Sequence, residues 1–514
     1  MRLAMFAAIS IGVFNATTTP LCWGQVINED LKLLPSDGAT GNSFGWTIAI
    51  DNGIVAVGAY QDDDNGTWSG SAYLFDAPTG AQIAKLLPSD GATGDKFGHS
   101  IAIDNGIVAV GAEGDDDNGS YSGSAYLFDA STGAQIAKLL PRNGWEDSAF
   151  GNSIAIDNGI VAVGAYRDDD NGSHSGSAYL FDASTGAQIA KLLPSDGATG
   201  DYFGWSIAID NGIVAVGARR DDDNGPYSGS AYLFDASTGA QIAKLLPRNG
   251  WEDDAFGYSI AIDDGIVAVG AYRNRDNNIQ SGAAYLFDAS TGAQLAKLAP
   301  DDGAAVDFFG WSIAIDNGIV AVGAAYDDDN GDDSGSAYLF EAATGAQLAK
   351  LLPSDGVTRG YFGTSIAANN GIVAVGAYGD DDNGSRSGSA YLFGVNTIVD
   401  CLDLTVRNLI AGDIAIFTIS KGTPGARAAT VYGTKPGNVS VNDYAGYCAT
   451  FGIAGVKQDN VIGGLNRTFD ADGEIVFGLK IPGNLSGQRL FFQSAQHGTC
   501  PDECMSNLVE AVVQ

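Results

Sequence analysis

The chain of 514 residues sets 62 acidic against 26 basic side chains, a formal charge of −36, and contains 71 glycines but 14 prolines, with 45% hydrophobic residues. So strong a negative charge repels nucleic acid and anionic membrane surfaces, which argues against both as partners. Abundant glycine with little proline and a large apolar fraction is turn-rich globular composition, and excludes a collagen-like or disordered chain.

The N-terminus opens Met1-Arg2, continues as an apolar run from Leu3 to Phe14, and turns polar before Cys22-Trp23-Gly24-Gln25. That is the layout of a secretory signal peptide over residues 1–24, with cleavage expected after Gly24. The apolar run is shorter than the roughly 20 residues that span a bilayer, and no later window approaches that length, so no transmembrane segment is expected. Loss of the leader removes Cys22 and leaves Cys401, Cys448, Cys500 and Cys504. An even set in an oxidising compartment predicts two disulfides. A Cys500–Cys504 bridge beside a Cys401–Cys448 bridge is preferred to half a zinc site, with three connectivities open.

From Lys32 the sequence repeats, with equivalent lysines at Lys85, Lys138, Lys191, Lys244, Lys297 and Lys350, a period of 85 − 32 = 53 residues. Each of the seven copies reads as four short strands. In the second copy, Ser100-Ile101-Ala102-Ile103 alternates, Asn105-Gly106 is a two-residue hairpin signal, and Ile107-Val108-Ala109-Val110 is an apolar run suited to burial on both faces. A polar loop follows, then Ser124-Ala125-Tyr126-Leu127-Phe128, a turn at Ser131-Thr132-Gly133, and a last strand ending at Leu140 before a proline. Four-stranded units at this period predict an all-β fold, a seven-bladed β-propeller over residues 25–397. The array begins with an outer-strand sequence, Leu31-Lys32-Leu33-Leu34, and its seventh copy stops after the third strand, Ser389 to Phe393. The N-terminal strand is therefore expected to complete the last blade and close the ring, which protects strand edges.

Acids gather between the second and third strands of six copies. They are Asp62, Asp63 and Asp64; Asp115, Asp116 and Asp117; Asp168, Asp169 and Asp170; Asp221, Asp222 and Asp223; Asp327, Asp328 and Asp329; and Asp380, Asp381 and Asp382, each run followed by Asn-Gly. The fifth copy departs, with Asn274-Arg275-Asp276. These loops are expected to meet the segments between blades at one end of the propeller and form one acidic face. Two readings stand for them: solvated turns that discourage aggregation, or sites for a divalent cation, calcium being the one candidate cofactor. The third and fifth copies carry Pro-Arg-Asn-Gly-Trp-Glu-Asp between blades, at Pro141 to Asp147 and Pro247 to Asp253, as duplication of a two-blade unit would leave. Trp145, Trp251, Trp46, Trp68, Trp205 and Trp311 lie near the same loops, suited either to packing between blades or to stacking on a sugar or anchoring a protein.

Phe-Gly recurs as Phe44-Gly45, Phe97-Gly98, Phe150-Gly151, Phe203-Gly204, Phe256-Gly257, Phe309-Gly310 and Phe362-Gly363, and Gly-Ala recurs from Gly58-Ala59 to Gly376-Ala377 in every copy. In these pairs the chain resembles the FG-GAP repeat family, known from integrin α-subunit propellers and secreted bacterial proteins. The proline that follows Gly-Ala in the family is missing here, as in a bacterial subtype. The resemblance implies a seven-bladed propeller and a role in adhesion. Integrin-like blades hold calcium in the hairpin between their first two strands, but here that hairpin is only Asp104-Asn105-Gly106 and its equivalents. So short a turn cannot supply six or more oxygens, and the family's calcium site does not carry over to it.

After the repeats, residues 398–514 show short alternating runs at Leu402 to Val406, Ile414 to Ile419, Ala428 to Tyr432, Ile475 to Leu479 and Leu490 to Ser494, which predict a small β-sandwich. The three histidines, His99, His174 and His497, form no paired metal motif, and no nucleophile elbow or phosphate loop occurs. No catalytic residue is assigned. The expectation is a secreted or cell-surface, non-enzymatic adhesion or ligand-binding scaffold whose partner is an extracellular protein or polysaccharide. The alternatives are an extracellular polysaccharide lyase or hydrolase, and a structural envelope protein.

Overall fold

The computed structural model describes residues 25–275 and 280–394, and nine strands of backbone between 403 and 512. The chain divides into two compact units between Thr397 and Ile398. The expected signal segment, residues 1–24, and Cys401, Cys448, Cys500 and Cys504 lie outside the described residues.

The larger unit is the seven-bladed propeller. Its first strands are β1 (Gln25–Ile27) and β2 (Leu31–Leu33). Blade 1 follows as β3 (Thr47–Asp51), β4 (Ile54–Ala59), β5 (Ser71–Asp76) and β6 (Gln82–Leu86), paired in that order as an antiparallel meander. The Asn-Gly signal gives the hairpin it predicts: Asn52 and Gly53 sit at φ 46° and 77°, the type I′ geometry whose twist matches the flanking strands. The same unit recurs five times more. Blade 7 has three strands from its own repeat, Phe362–Asn369, Ile372–Ala377 and Ser389–Gly394, and takes β2 as its fourth. Leu31 pairs with Leu392 and Leu33 with Ala390, so the ring closes as the sequence predicts.

Blade 6 holds a surprise, because β1 adds to its outer edge in parallel, with Gln25 opposite Ala349 and Ile27 opposite Leu351. The added strand covers an edge that other blades leave open: Leu295 of blade 5 is 54% exposed, whereas its equivalent in blade 6, Leu348, is half-buried. Glu29 extends the attachment by accepting from the Ser354 backbone N–H at 2.9 Å.

The core lies between blades. The third strand sends alternate side chains to opposite faces, so Ala72 and Leu74 of blade 1 meet Phe97, Tyr126 and Phe128 of blade 2 in one buried cluster. Within that cluster Phe97 meets Tyr126 and Phe128 edge-on, each at 5.6 Å between centroids. Burying one such ring contributes roughly 2 kcal/mol. The Phe-Gly glycine has a steric reason as well. Gly98 sits at φ 86°, and a Cβ there would collide with the Ser71 carbonyl oxygen of the preceding blade.

The C-terminal unit is all-β in its described strands, which form sheets of three, four and two. Ile414–Ser420 pairs with both Asp403–Arg407 and Ile475–Lys480, and Arg427–Gly433 pairs with Arg489–Gln496. These are the five runs predicted from alternation, and Lys435–Ser440, Thr450–Ala454, Arg467–Thr468 and Val509–Val512 are additional.

Candidate functional site

The acidic loops and the interblade segments do converge at the end opposite the Asn-Gly hairpins, but each aspartate of a run has a different task. The first is buried. Asp115, 3% exposed, accepts from the Tyr126 hydroxyl at 2.8 Å, the Lys138 ammonium at 3.0 Å and the Asp117 backbone N–H at 3.0 Å. The second caps the loop, Asp116 accepting from the Tyr121 backbone N–H at 2.8 Å. The third is about half-exposed and closes on the same lysine, with Asp117 at 2.5 Å from Lys138. Asn-Gly ends the run because Gly119 adopts φ 119°, closed to L side chains.

This arrangement holds in all six acidic blades. Tyr73, Tyr126, Tyr179, Tyr232, Tyr338 and Tyr391 donate to Asp62, Asp115, Asp168, Asp221, Asp327 and Asp380. Where the interblade segment begins Ser-Asp-Gly or Asp-Asp-Gly, its second residue supplies another carboxylate, as Asp90 does to Lys138 at 2.8 Å. Burial alone would raise the Asp90 pKa, but Lys138 and the Tyr126 hydroxyl outweigh it and hold the carboxyl below its ordinary value. Burial likewise opposes the Lys138 charge, and hydrogen bonds to Asp117, Asp90 and Asp115 reverse that and raise its pKa.

The aspartates for which solvated turns and divalent-cation sites are the two readings serve here as loop caps and as partners of an internal ammonium. Among the described residues no group of three or more Asp, Glu, His or Cys side chains is arranged to hold a metal ion. The fifth blade shows the same logic with the charge removed: Asn274 accepts from Lys297 at 2.9 Å and donates to Asp254 at 2.9 Å.

A second region at this end was touched by the sequence reading only through three of its residues, Trp46, Trp205 and Trp311. The residue after Phe-Gly is in turn Trp46, His99, Asn152, Trp205, Tyr258, Trp311 and Thr364, and the residue after Gly-Ala is Tyr60, Glu113, Tyr166, Arg219, Tyr272, Ala325 and Tyr378. The strands around them scarcely change from copy to copy. Rings from consecutive blades touch, Trp46 lying 5.9 Å from His99 and 5.2 Å from Tyr378, and Tyr258 lying 5.7 Å from Trp205 and 5.0 Å from Trp311. Only positions close to the axis bring first strands of neighbouring blades so near, so these residues surround the mouth of the central channel.

The arc continues through Tyr326, 5.4 Å from Trp311, to Tyr361 and Tyr378, which stack at 5.0 Å and 5°. A polar sector interrupts it at blades 2 and 3. There the half-buried Glu113 accepts from Lys96 at 2.8 Å and lies 3.8 Å from His99. Burial disfavours its ionisation, yet His99, Lys96 and Arg167 together hold its carboxyl below the ordinary range. In blade 4 the Arg219 guanidinium lies 3.7 Å from the Trp205 ring centre. Farther out, Trp68, Tyr121, Trp145, Tyr227 and Trp251 stand exposed among the acidic loops. Of the six tryptophans singled out earlier, Trp46, Trp205 and Trp311 belong to the mouth, and Trp68, Trp145 and Trp251 to the rim.

Closed blades, a third strand that buries both faces and paired Phe-Gly and Gly-Ala glycines define this unit as a seven-bladed β-propeller. The FG-GAP repeat family matches residues 27–75, 81–128, 134–181, 187–234, 240–287, 293–340 and 346–393, one stretch for each copy, and the chain belongs to that family. No curated protein matches the sequence. Among the described residues no helix is long and apolar enough to cross a membrane.

Proposed function

We propose that the protein is a secreted, non-enzymatic binding scaffold whose recognition surface is the aromatic mouth of the propeller. One observation carries this reading: seven copies that repeat their strands almost letter for letter diverge at the positions that ring the axis. A purely structural ring has no need to place tryptophan, histidine, asparagine, tyrosine and threonine at one equivalent site. Half-buried aromatic side chains beside a few fixed charges are the usual make-up of binding surfaces. The N-terminal leader pattern supports secretion, and an extracellular polysaccharide or protein is the class of ligand that such a mouth would meet.

An enzymatic role has less support. Glycoside hydrolysis ordinarily needs two carboxylates across the scissile bond. Of the fourteen residues that follow Phe-Gly and Gly-Ala, Glu113 is the one acid, and Lys96 engages it. The test is a screen of immobilised glycans and matrix proteins with the intact protein and with the triple variant Trp46→Ala, Trp205→Ala, Trp311→Ala. Binding that the triple variant loses, with ligand recovered unaltered, is the expected result. Binding that survives in the variant, or ligand that is consumed, overturns the reading.

A further inference from the structure

Three cations near the mouth are matched to acids. Lys96 is paired with Glu113, Arg167 with Asp147 at 2.8 Å and Arg273 with Asp253 at 3.0 Å. Arg219, like its neighbour Arg220, takes part in no ion pair among the described residues, and the Arg219 Nε is buried without a hydrogen-bond partner. Its guanidinium is instead enclosed by rings, 3.7 Å from Trp205, 5.4 Å from Tyr202 and 6.0 Å from Tyr258. Burial makes this charge harder to hold than an exposed one. A half-buried guanidinium without an anion, in a chain of net charge −36, is poorly satisfied in the free protein and gains most from an anionic ligand. The neighbouring Arg220 donates to the Tyr202 hydroxyl at 3.1 Å and so holds one wall of the sector in place.

The surroundings of Arg219 narrow the ligand. Tyr258 and Trp311, 5.0 Å apart and inclined at 52°, form an apolar corner next to the guanidinium. A pyranose offers an apolar C–H face to such rings while an equatorial carboxylate reaches a planar, two-pronged donor. We propose that this sector binds a saccharide carrying a single carboxylate, the Arg219 guanidinium taking the carboxylate and Trp205, Tyr258 and Trp311 the sugar ring. The acidic loops on the same face disfavour a polyanion. The inference rests on the mouth being the recognition surface.

Two probes that differ only at one carbon test it: methyl β-D-glucuronoside, and methyl β-D-glucoside with hydroxymethyl in place of carboxylate. Titration of the intact protein by tryptophan fluorescence and ligand-observed NMR should show the glucuronoside binding about tenfold tighter or better, the scale of one charge-assisted contact. Arg219→Gln should bring the two affinities together. Trp311→Ala should weaken both and keep their ratio, which guards against a folding defect in the arginine variant, and near-UV circular dichroism checks both variants. Equal binding of the two sugars, no binding of either, or selectivity that persists in Arg219→Gln overturns the proposal. So does acetate or N-acetylglycine competing as well as the glucuronoside, since that would mark a site for any carboxylate or for a peptide terminus. Neutral ligands that need the mouth tryptophans would leave the broader reading standing while this one fails.

Discussion

The aspartate clasps of six blades and the aromatic mouth lie at the same end of the propeller, and they carry different kinds of information. At the rim one solution recurs: tyrosine hydroxyl, lysine ammonium and loop backbone converge on one buried aspartate, and where the fifth blade has asparagine the lysine contact survives. At the mouth each blade differs, so that tryptophan, histidine, asparagine, tyrosine and threonine occupy one equivalent position. Repetition marks what the blade needs to fold. Divergence against that background supports the recognition role proposed for the mouth, where side chains from all seven blades meet.

The rim side of this comparison breaks first under substitution of the buried aspartate. Asp115→Ala strands the Tyr126 hydroxyl, the Lys138 ammonium and the Asp117 N–H at a 3%-exposed site. The expected loss is about 3 kcal/mol, read by urea denaturation, since an uncompensated buried polar group costs more than the pair it belonged to contributes. Asp115→Asn should lose about 1 kcal/mol or less, because blade 5 is built with asparagine at that place. Equal costs for the two variants would show that charge, not hydrogen bonding, organises the loop.

A smaller effect of opposite sign distinguishes blades that look alike. Asp95, Asp201 and Asp307 lie buried near Asp115, Asp221 and Asp327, and burial, reinforced by those like charges, pushes each carboxyl up to about 6. A folded-state pKa raised above the unfolded value gives stability that is full at pH below about 3.9 and is lost as pH rises through 6. Blade 1 has Asn42 at this position, donating to Asp62 at 2.9 Å. The triple variant Asp95→Asn, Asp201→Asn, Asp307→Asn should therefore be more stable than the parent at pH 7.5, on the order of 1 kcal/mol per site after allowance for solvent screening. At pH 4 the gain should vanish. A gain independent of pH would trace to something other than these charges.

How much of this could be read from the letters depends on how far apart the interacting residues lie. The blades follow from period-two runs, Asn-Gly turns and Phe-Gly spacing, all local signals. Closure follows from one long-range deduction, that Leu31-Lys32-Leu33 repeats an outer-strand sequence. The attachment of β1 to blade 6 was not legible, since Gln25-Val26-Ile27 is three residues long and its partner lies more than 300 residues away. The acidic runs were visible, but their role depends on a lysine 23 residues on and an aspartate from the preceding interblade segment, a pairing that spacing alone does not reveal. Tyr258 or Arg219 taken singly is an ordinary residue, and Trp46, Trp205 and Trp311 were noticed as tryptophans without the positions that join them. Only alignment of the seven copies by their Phe-Gly and Gly-Ala pairs exposes the variable positions.

The smallest expected effect is the most telling for the rim. If calcium bound the native loops it would raise the melting temperature in proportion to its affinity. An ammonium already lies between Asp90, Asp115 and Asp117, so about 1 mM calcium should move the melting temperature of the parent protein by less than about 1 °C. Lys138→Met removes that charge and leaves three carboxylates facing one space, which lowers the melting temperature and creates an oxygen-rich, cation-deficient loop. Calcium should then restore part of the loss in this variant and none in the parent. A shift in the parent as large as that in the variant would mean that divalent ions reach the carboxylates from outside the lysine clasp, and would return the acidic face to the list of ligand sites.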